Sequence, residues 1–259
     1  MDQVFNLPDA VILGVPAAVM AIAIILLPSL VHRIPWMKPG SFNTDFIIRI
    51  QATLFTMTAL VLAFTLVQTE SYNRRTEGLI STEASHINRM DRLLARYGTD
   101  AATTLRSHLM VYAGSIVHDE WSSMLKGRAS AATHHAWDTL SRGLLALEPQ
   151  TGRQSAIFAE LLKSLNSMVE SRDERLAAVA DGLPRAYWMV VGFTVAMLLF
   201  VSSTIERTAF SATVLAAQMA VIGAVLGFVI IQDHPLKAHT AIGPGAIVEA
   251  MGAMKQRGD

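Results

Sequence analysis

The chain has 259 residues, of which 52% are hydrophobic and 16% charged, with 21 basic and 21 acidic side chains. A disordered chain needs low hydrophobicity and high net charge, and a nucleic-acid binder needs a basic excess, so this composition disfavours both classes. Cysteine is absent, which excludes disulfides, thiolate nucleophiles and sulfur-ligated metals. Because an average soluble domain is about 25% charged, the composition indicates a polytopic membrane protein.

Four stretches without any charged residue predict four transmembrane helices. The first stretch, from Ala10 to Val31, is 22 residues long, and at about 1.5 Å per residue it spans a hydrocarbon core of roughly 30 Å. A charged side chain at a helix centre costs about 2.5–3.5 kcal/mol on insertion scales, which explains why these stretches contain none. We expect spans at about residues 10–31, 50–69, 186–205 and 208–232.

The spans divide the chain into four segments. Residues 1–69 are predicted to form a hairpin of two spans, and residues 186–232 a second one. The hydrophilic segment 70–185 carries 14 basic and 14 acidic residues and has no alternating β-branched runs, so we expect helices there. Segment 233–259 is a tail in which Pro244 opens a short amphipathic helix. The predicted fold is an all-α membrane protein with a helical bundle inserted between the second and third spans.

Proline and glycine positions predict the helix ends of the hydrophilic segment. Residues 45–96 contain no proline and a single glycine, so the second span should continue beyond the membrane as one helix of about 50 residues. Asp100 is predicted to cap the next helix, which should end near Gly127. A further helix should stop at Pro149, and the last one should start near Thr151.

The basic residues beside the spans predict the orientation of the chain. Within about 20 residues of the membrane, seven Lys and Arg side chains lie on the side of the two termini and segment 70–185, against four on the other side. By the positive-inside rule, the termini and segment 70–185 are therefore expected in the cytoplasm.

The sequence contains no recognisable motif of an enzyme or a metal site. The densest groups of potential ligands are His118-Asp119-Glu120 and His134-His135. Adjacent residues on a helix point about 100° apart, so neither group presents two ligands on one face. We expect solvent-exposed histidines there, and we predict no enzyme, no catalytic residue, no metal and no cofactor.

Glu83 lies on the apolar face of the long second helix, the face that also carries Leu79 and Ile87. A carboxylate on such a face requires a cation, so we expect a buried or interfacial ion pair. The candidate partners along the same helix are Arg75, Arg89 and Arg92.

Polar residues recur every seven positions along the second span, at Gln51, Thr58, Thr65 and Tyr72. In a pore, hydroxyl groups can replace part of an ion's hydration shell, so Thr58 and Thr65 are pore-lining candidates. The alternative is helix packing, because threonine hydroxyls also bond carbonyls of their own helix. The sequence leaves both interpretations open.

Several short motifs resemble the bacterial bestrophin-like family of unknown function. That family has a Gly/Ala-Phe pair near the end of its second span, then an arginine pair, an acidic-Ala motif, and Asp-x-Pro-Phe after its fourth span. The order of two spans, a helical region and two spans also matches over nearly the whole chain. The corresponding residues here are Ala63-Phe64, Arg74-Arg75, Glu83-Ala84 and Asp233-His234-Pro235-Leu236.

Membership of this family would imply an ion channel. Bestrophins are homopentamers that chiefly conduct anions such as chloride, and their second helix lines a pore with a hydrophobic neck. By resemblance the neck would comprise Thr56, Leu60 and Phe64, on a helix face different from that of Thr58 and Thr65. The acidic calcium clasp of animal bestrophins has no counterpart, so calcium gating is not expected.

The resemblance also implies the location and the partners of the chain. It places the protein in the bacterial inner membrane, with the lipid bilayer and further copies of itself as partners. The residues expected to act electrostatically at the cytoplasmic end of the pore are Arg74, Arg75 and Glu83. The alternative function is a non-conducting membrane scaffold or sensor whose cytoplasmic helices bind a protein partner.

Overall fold

The computed structural model of the protein describes residues 8–31, 44–180, 183–206, 208–233 and 242–258. Within these ranges every regular element is a helix. In chain order the helices are α1 (Asp9–Val31), α2 (Thr44–Tyr97), α3 (Asp100–Ser115), a π-helical turn (Ile116–Glu120), α4 (Trp121–Met124), α5 (Ala131–Leu145), α6 (Gly152–Ala180), α7 (Arg185–Ser203), α8 (Ala209–Gln232) and α9 (Gly245–Gln256).

Four of the described helices are long and apolar enough to cross a bilayer, namely α1, α2, α7 and α8. They coincide with the four predicted spans, and α2 is a single helix of 54 residues, as the absence of proline predicts. Large apolar side chains such as Val19 and Leu26 are exposed on the outside of α1. Such exposure is ordinary for helices surrounded by lipid, whose tails are as apolar as leucine.

The chain divides into two compact units. One comprises residues 1–71 and 182–241, and we call it the apolar unit. The other comprises residues 72–181 and 242–259, and we call it the hydrophilic unit. The apolar unit thus contains α1, the first half of α2, α7 and α8. The hydrophilic unit contains the second half of α2, then α3 to α6, and α9.

Close contact between the backbones of α1 and α8 characterises the apolar unit. A Cβ atom on Gly223 would lie 2.7 Å from the Cα of Ala17, and one on Gly227 would lie 2.7 Å from the carbonyl oxygen of Ile12. Glycines spaced four residues apart allow membrane helices to approach in this way. Close backbone packing therefore contributes to holding the first and last spans together.

The hydrophilic unit has one continuous apolar core to which α2, α3, α5, α6 and α9 contribute. Tyr112 of α3 meets Trp137 of α5 edge to face, with 5.3 Å between the ring centroids. The short C-terminal helix α9 inserts Ile247 and Met254 into the same core. It is thus an integral part of this unit, and it begins directly after Pro244 as expected.

Two predicted helix ends differ from the structure. The residue that caps α3 is Thr99, whose hydroxyl accepts a hydrogen bond from the amide of Ala102 at 3.2 Å. Asp100 is instead the first helical residue, where a negative charge still favours the helix dipole. The helical run that begins with α3 ends with α4 at Met124, and Gly127 has a positive φ of 69° in the turn that follows. Its π-helical turn was not predicted.

Candidate functional site

Three of the polar residues spaced seven apart on α2 are buried in the apolar unit, namely Gln51, Thr58 and Thr65, whereas Tyr72 belongs to the hydrophilic unit. Gln51 donates a hydrogen bond from Nε2 to Oε1 of Gln218 on α8, at 2.7 Å. Thr58 is fully buried, and its hydroxyl donates to the carbonyl of Thr194 on α7. Thr65 is also buried, and it donates to the carbonyl of Val61. These contacts are those expected of helix packing.

The three residues expected by resemblance to form a neck lie on the opposite, exposed side of α2. Leu60 is 55% exposed and Phe64 64% exposed. Thr56 is exposed as well, and its hydroxyl donates to the carbonyl of Ala52 within the same helix. This face therefore presents mainly carbon atoms to the outside of the chain.

An apolar groove of about 310 Å³ runs beside Phe64, between α2 and α7. Its walls are almost purely hydrocarbon, because the hydroxyl of Thr65 turns back to its own helix. The residues that line it are Val61, Phe64, Thr65, Ala186, Tyr187 and Val190.

The other predicted site residues belong to the hydrophilic unit. Arg74 and Arg75 are both exposed near the beginning of the α2 segment in that unit. Arg75 lines a small cavity of about 150 Å³ together with Tyr72 and Glu174. Glu83 is completely buried, about two turns further along the helix. The two arginines are therefore exposed to solvent, whereas Glu83 is not.

Glu83 is the first member of a buried cluster of charged side chains in the hydrophilic unit. Nε of Arg175 donates to Oε2 of Glu83 at 2.6 Å, and Nη2 of Arg175 donates to Oε2 of Glu120 at 2.7 Å. Nη2 of Arg172 donates to Oε1 of Glu120 at 2.5 Å. The hydroxyl of Tyr112 donates at 3.4 Å to Oε1 of Glu83, which also accepts from Nη2 of Arg175. The two carboxylates and the two guanidinium groups thus form a cluster without net charge.

The cluster connects α2, the π-helical turn and α6. Trp121 adds a further contact, since its ring centroid lies 6.0 Å from Cζ of Arg175, within range of a cation–π interaction. A π-turn shifts the register of the side chains that follow it, and here it ends on Glu120, the carboxylate shared by both arginines. The turn therefore sets where the central carboxylate of the cluster lies.

Burial and charge pairing set the protonation states within the cluster. Burial disfavours the ionised form of Glu120, but hydrogen bonds from Arg172 and Arg175 outweigh it and lower the pKa of this carboxyl below its usual value. Burial, followed by the charge of Glu83, raises the pKa of Tyr112 well above its usual value. At neutral pH Glu120 is therefore ionised and Tyr112 is a neutral donor.

The expected partners of Glu83 were wrong. Arg89 pairs with Glu160 on the surface, and Arg75 and Arg92 are exposed, whereas the actual partner, Arg175, lies 92 residues further along the chain. The sequence did contain a signal. On α6, Arg172 and Arg175 continue the spacing of Leu161, Leu165 and Met168, so both arginines occupy core positions of that helix.

The histidine-containing groups lie on the surface, apart from one side chain. His118 and Asp119 are both exposed, but Glu120 beside them is fully buried in the cluster. His134 and His135 are both exposed. In the described ranges, no three His, Asp or Glu side chains come together in a way that could hold a metal ion.

Asp233, the first residue of the segment that resembles Asp-x-Pro-Phe, follows α8 and contacts the start of α7. One carboxylate oxygen accepts from the backbone amide of Leu183 at 2.7 Å, and the other accepts from the indole nitrogen of Trp188 at 3.2 Å. Asp233 therefore joins the third and fourth predicted spans at one end. The rest of the motif, residues 234–236, lies outside the described residues.

Long apolar helices and a helical hydrophilic unit define this chain as an all-α membrane protein. Residues 17–247 match the Bestrophin-like domain, and because they cover most of the chain, the protein belongs to the Bestrophin-like family. No curated protein matches the sequence.

Solved structures share the fold. A mutant of a bacterial bestrophin homolog from Klebsiella pneumoniae is similar over 96% of this chain and 99% of its own, with a TM-score of 0.69 and 12% sequence identity. A second mutant of a Klebsiella pneumoniae bestrophin homolog gives a TM-score of 0.63 over 95% and 98% of the two chains, also at 12% identity. A further crystal structure, of a membrane protein, gives 0.66 over 95% and 96%, at 13% identity.

Proposed function

We propose that the protein is a homo-oligomeric, pentameric ion channel of the bacterial inner membrane, in which α2 lines the pore. Membership of the Bestrophin-like family supports this proposal. The observation that carries it is the division of α2 into two faces. Its polar face is already used within the protomer, so a pore formed by several copies would be lined by the other face, with Leu60 and Phe64.

Thr56, Leu60 and Phe64 would form the neck of this pore, one residue per helical turn. A ring of leucine and a ring of phenylalanine side chains would narrow the pore and resist wetting, which is how hydrophobic constrictions gate ion flow. Thr58 and Thr65 would not line the pore, because both are buried against the protomer's own helices. The groove beside Phe64 would receive a neighbouring copy.

Chloride flux through proteoliposomes tests the neck. Leu60→Ala and Phe64→Ala should each increase the flux, because a smaller side chain leaves a wider constriction that wets more readily. Phe193→Ala is the matched control, since Phe193 on α7 is 67% exposed, much like Phe64, but lies on a helix to which we assign no pore. Absence of flux in well-folded protein, or equal effects of the variants and the control, would contradict the proposal.

The oligomeric state separates this function from its alternative. The mass of the detergent-solubilised protein should correspond to five copies. A monomer or dimer would instead favour a non-conducting scaffold or sensor whose hydrophilic unit binds a protein partner.

We also propose that the channel prefers anions, because the positive charges of Arg74 and Arg75 lie next to the membrane-spanning part of α2. Replacing both with glutamine should lower the permeability of chloride relative to sodium. The reduction should be greater at low salt. Ions screen the arginine charges beyond a Debye length of about 10 Å at 0.1 M ionic strength, and they screen them less at lower ionic strength. Replacing Arg128 and Arg153 together with glutamine removes the same two charges from exposed positions outside α2 and should leave the selectivity unchanged.

The proposed orientation places the hydrophilic unit in the cytoplasm. Since the sequence lacks cysteine, single cysteines report their side of the membrane without any background. Ser81→Cys, exposed on α2, should react with an impermeant maleimide only after spheroplasts are permeabilised. Glu206→Cys, between α7 and α8, should react in intact spheroplasts. The reverse pattern would overturn the orientation.

A further inference from the structure

Two arginines converge on one buried carboxylate of the hydrophilic unit, separate from the Glu83 cluster. Nε of Arg106 donates to Oδ1 of Asp91 at 2.7 Å, and Nε of Arg257 donates to Oδ2 at 2.9 Å. The Asp91 side chain is 1% exposed, whereas those of Arg106 and Arg257 are 19% and 31% exposed. The buried carboxylate thus holds two guanidinium groups whose outer edges reach solvent.

These guanidinium groups retain both charge and hydrogen-bond donors. One carboxylate neutralises only one of the two positive charges. A guanidinium has five N–H donors, and within the described part of the chain the Nη1 groups of Arg106 and Arg257 donate to no acceptor. Several fixed donors with an excess positive charge therefore remain available to a ligand.

A groove of about 520 Å³ opens beside Arg106, between α2, α3 and α9. This volume is within the range of small-molecule sites, roughly 300–1,000 Å³. Lys255 of α9 is exposed at the groove, and Ser107 of α3 offers a hydroxyl. The complete lining is Asp91, Thr103, Arg106, Ser107, Met110, Met254, Lys255 and Gly258.

The chemistry of this groove selects an anion with several oxygen atoms. Guanidinium forks match phosphate and carboxylate oxygens, and a carboxylate that fixes their orientation reduces the entropy lost on binding. Of the charged residues that line the groove, Arg106 and Lys255 exceed Asp91 by one positive charge. Arg257 shares Asp91 from outside the lining and adds a second positive charge nearby, so the surroundings favour an anion such as a phosphate monoester. A metal ion is disfavoured, because both oxygens of Asp91 already accept from arginines.

We propose that this groove binds a phosphate-bearing small anion, which Arg106 and Lys255 contact while Asp91 orients the guanidinium groups. The ligand would join α3 to α9 and so stabilise the docked position of the C-terminal helix. The phosphate could belong to a soluble molecule or to a lipid headgroup, since the donors recognise the same oxygens in both. The inference is independent of ion conduction.

Calorimetric titration of the purified full-length chain with inorganic phosphate provides the first test. The wild type should bind saturably, and Lys255→Ala should weaken binding about tenfold, the usual effect of losing a hydrogen bond to a charged group. Arg106→Gln should weaken it further, while Asp91 keeps Arg257 as its partner. Lys163→Ala, at an exposed position on α6 outside the groove, is the matched control and should bind phosphate like the wild type.

The source of the phosphate is distinguished by reconstitution. In nanodiscs of phosphatidylcholine with or without phosphatidic acid, a lipid ligand should raise the unfolding temperature only with phosphatidic acid, and Lys255→Ala should remove the difference. A soluble ligand should give saturable phosphate binding in detergent and no dependence on this lipid.

The proposal is overturned if neither probe binds saturably. It is also overturned if Lys255→Ala and Arg106→Gln both bind like the wild type, or if Lys163→Ala weakens binding as much as Lys255→Ala. Ser107→Ala provides a further check at an exposed position that contributes nothing to the core. Its affinity for phosphate should fall, by less than that of Lys255→Ala, because a neutral donor is lost.

Discussion

The apolar and hydrophilic units bury polar groups in opposite ways. In the apolar unit, the hydroxyls of Thr65 and Thr69 bond to carbonyls three or four residues earlier in the same helix. In the hydrophilic unit, Glu83 and Glu120 are paired with arginines from a different helix, more than 50 residues away. Polar groups in the spans are thus satisfied mainly within their own helix, whereas buried charges in the other unit depend on tertiary contacts.

This difference determines which substitutions should destabilise each unit. A buried ion pair adds little net stability when intact, because desolvation offsets the attraction between the charges, but removing one partner leaves an uncompensated buried charge. A span packed through glycine is instead sensitive to added volume. The hydrophilic unit should therefore be most sensitive to loss of a charge, and the apolar unit to gain of a methyl group.

The largest effect is expected for Arg175→Ala in the hydrophilic unit. It removes the cation shared by Glu83 and Glu120, so the folded state should lose about 3–5 kcal/mol. Thermal unfolding of the purified protein measures this loss. Arg92→Ala removes an exposed arginine and should change stability by less than about 0.5 kcal/mol. Similar melting temperatures for the two variants would show that the cluster is energetically unimportant.

The next largest effect is expected for Gly223→Ala in the apolar unit. The new methyl group would overlap the backbone of α1 at Ala17, which should cost about 1–3 kcal/mol. Gly192→Ala in α7 is the matched control, since among the described residues no atom beyond the adjoining backbone of its own helix lies within 4 Å of the new methyl group. It should be neutral or slightly stabilising, because alanine favours the helix. The comparison fails if Gly192→Ala is the more damaging change.

A smaller effect is expected from acid, and it should be confined to the hydrophilic unit. The folded protein lowers the pKa of Glu120, so the stability gained from its ionised form is complete above the unfolded value of about 4.5 and is lost as pH falls through the folded value. Unfolding followed from pH 7 to pH 3 should show this decline. In Glu120→Gln the decline should be shallower, and an unchanged slope would assign the acid sensitivity to other groups.

The smallest effect is expected for the hydrogen bond between Gln51 and Gln218. Side-chain hydrogen bonds between membrane helices contribute about 0.6 kcal/mol on average. A double-mutant cycle with Gln51→Ala and Gln218→Ala, measured by thermal unfolding, should therefore give a coupling energy near that value. A coupling of several kcal/mol would mean that polar contacts, as in the hydrophilic unit, also dominate the spans.

Much of the secondary structure could be predicted from the chain. The gaps between charges located the four apolar helices, and the absence of proline over residues 45–96 predicted the length of α2. The cap at Thr99 was missed by one residue because two adjacent side chains, Thr99 and Asp100, can both accept from the first free amides. The π-turn was missed because no local signal distinguishes it from the α-helix around it.

The candidate site was only partly predictable. Glu83 was correctly expected to lie in an apolar environment and to pair with an arginine, but the partner was sought on its own helix. Arg175 comes from α6, and only the packing of α6 against α2 brings the two side chains together. Sequence spacing can assign residues to a face of one helix, but it does not specify which distant helix covers that face.

The sequence by itself determined that the chain has four apolar helices and a helical hydrophilic segment. The physical reason is that charges are costly in lipid and backbone groups there must be satisfied within each helix, so the signal is local. The tertiary structure alone decided the rotation of α2, which turns Thr58 inward and leaves Leu60 and Phe64 exposed. Rotation about the axis of an apolar helix costs little until neighbouring helices pack against it, so only the contacts with α7 and α8 select one face.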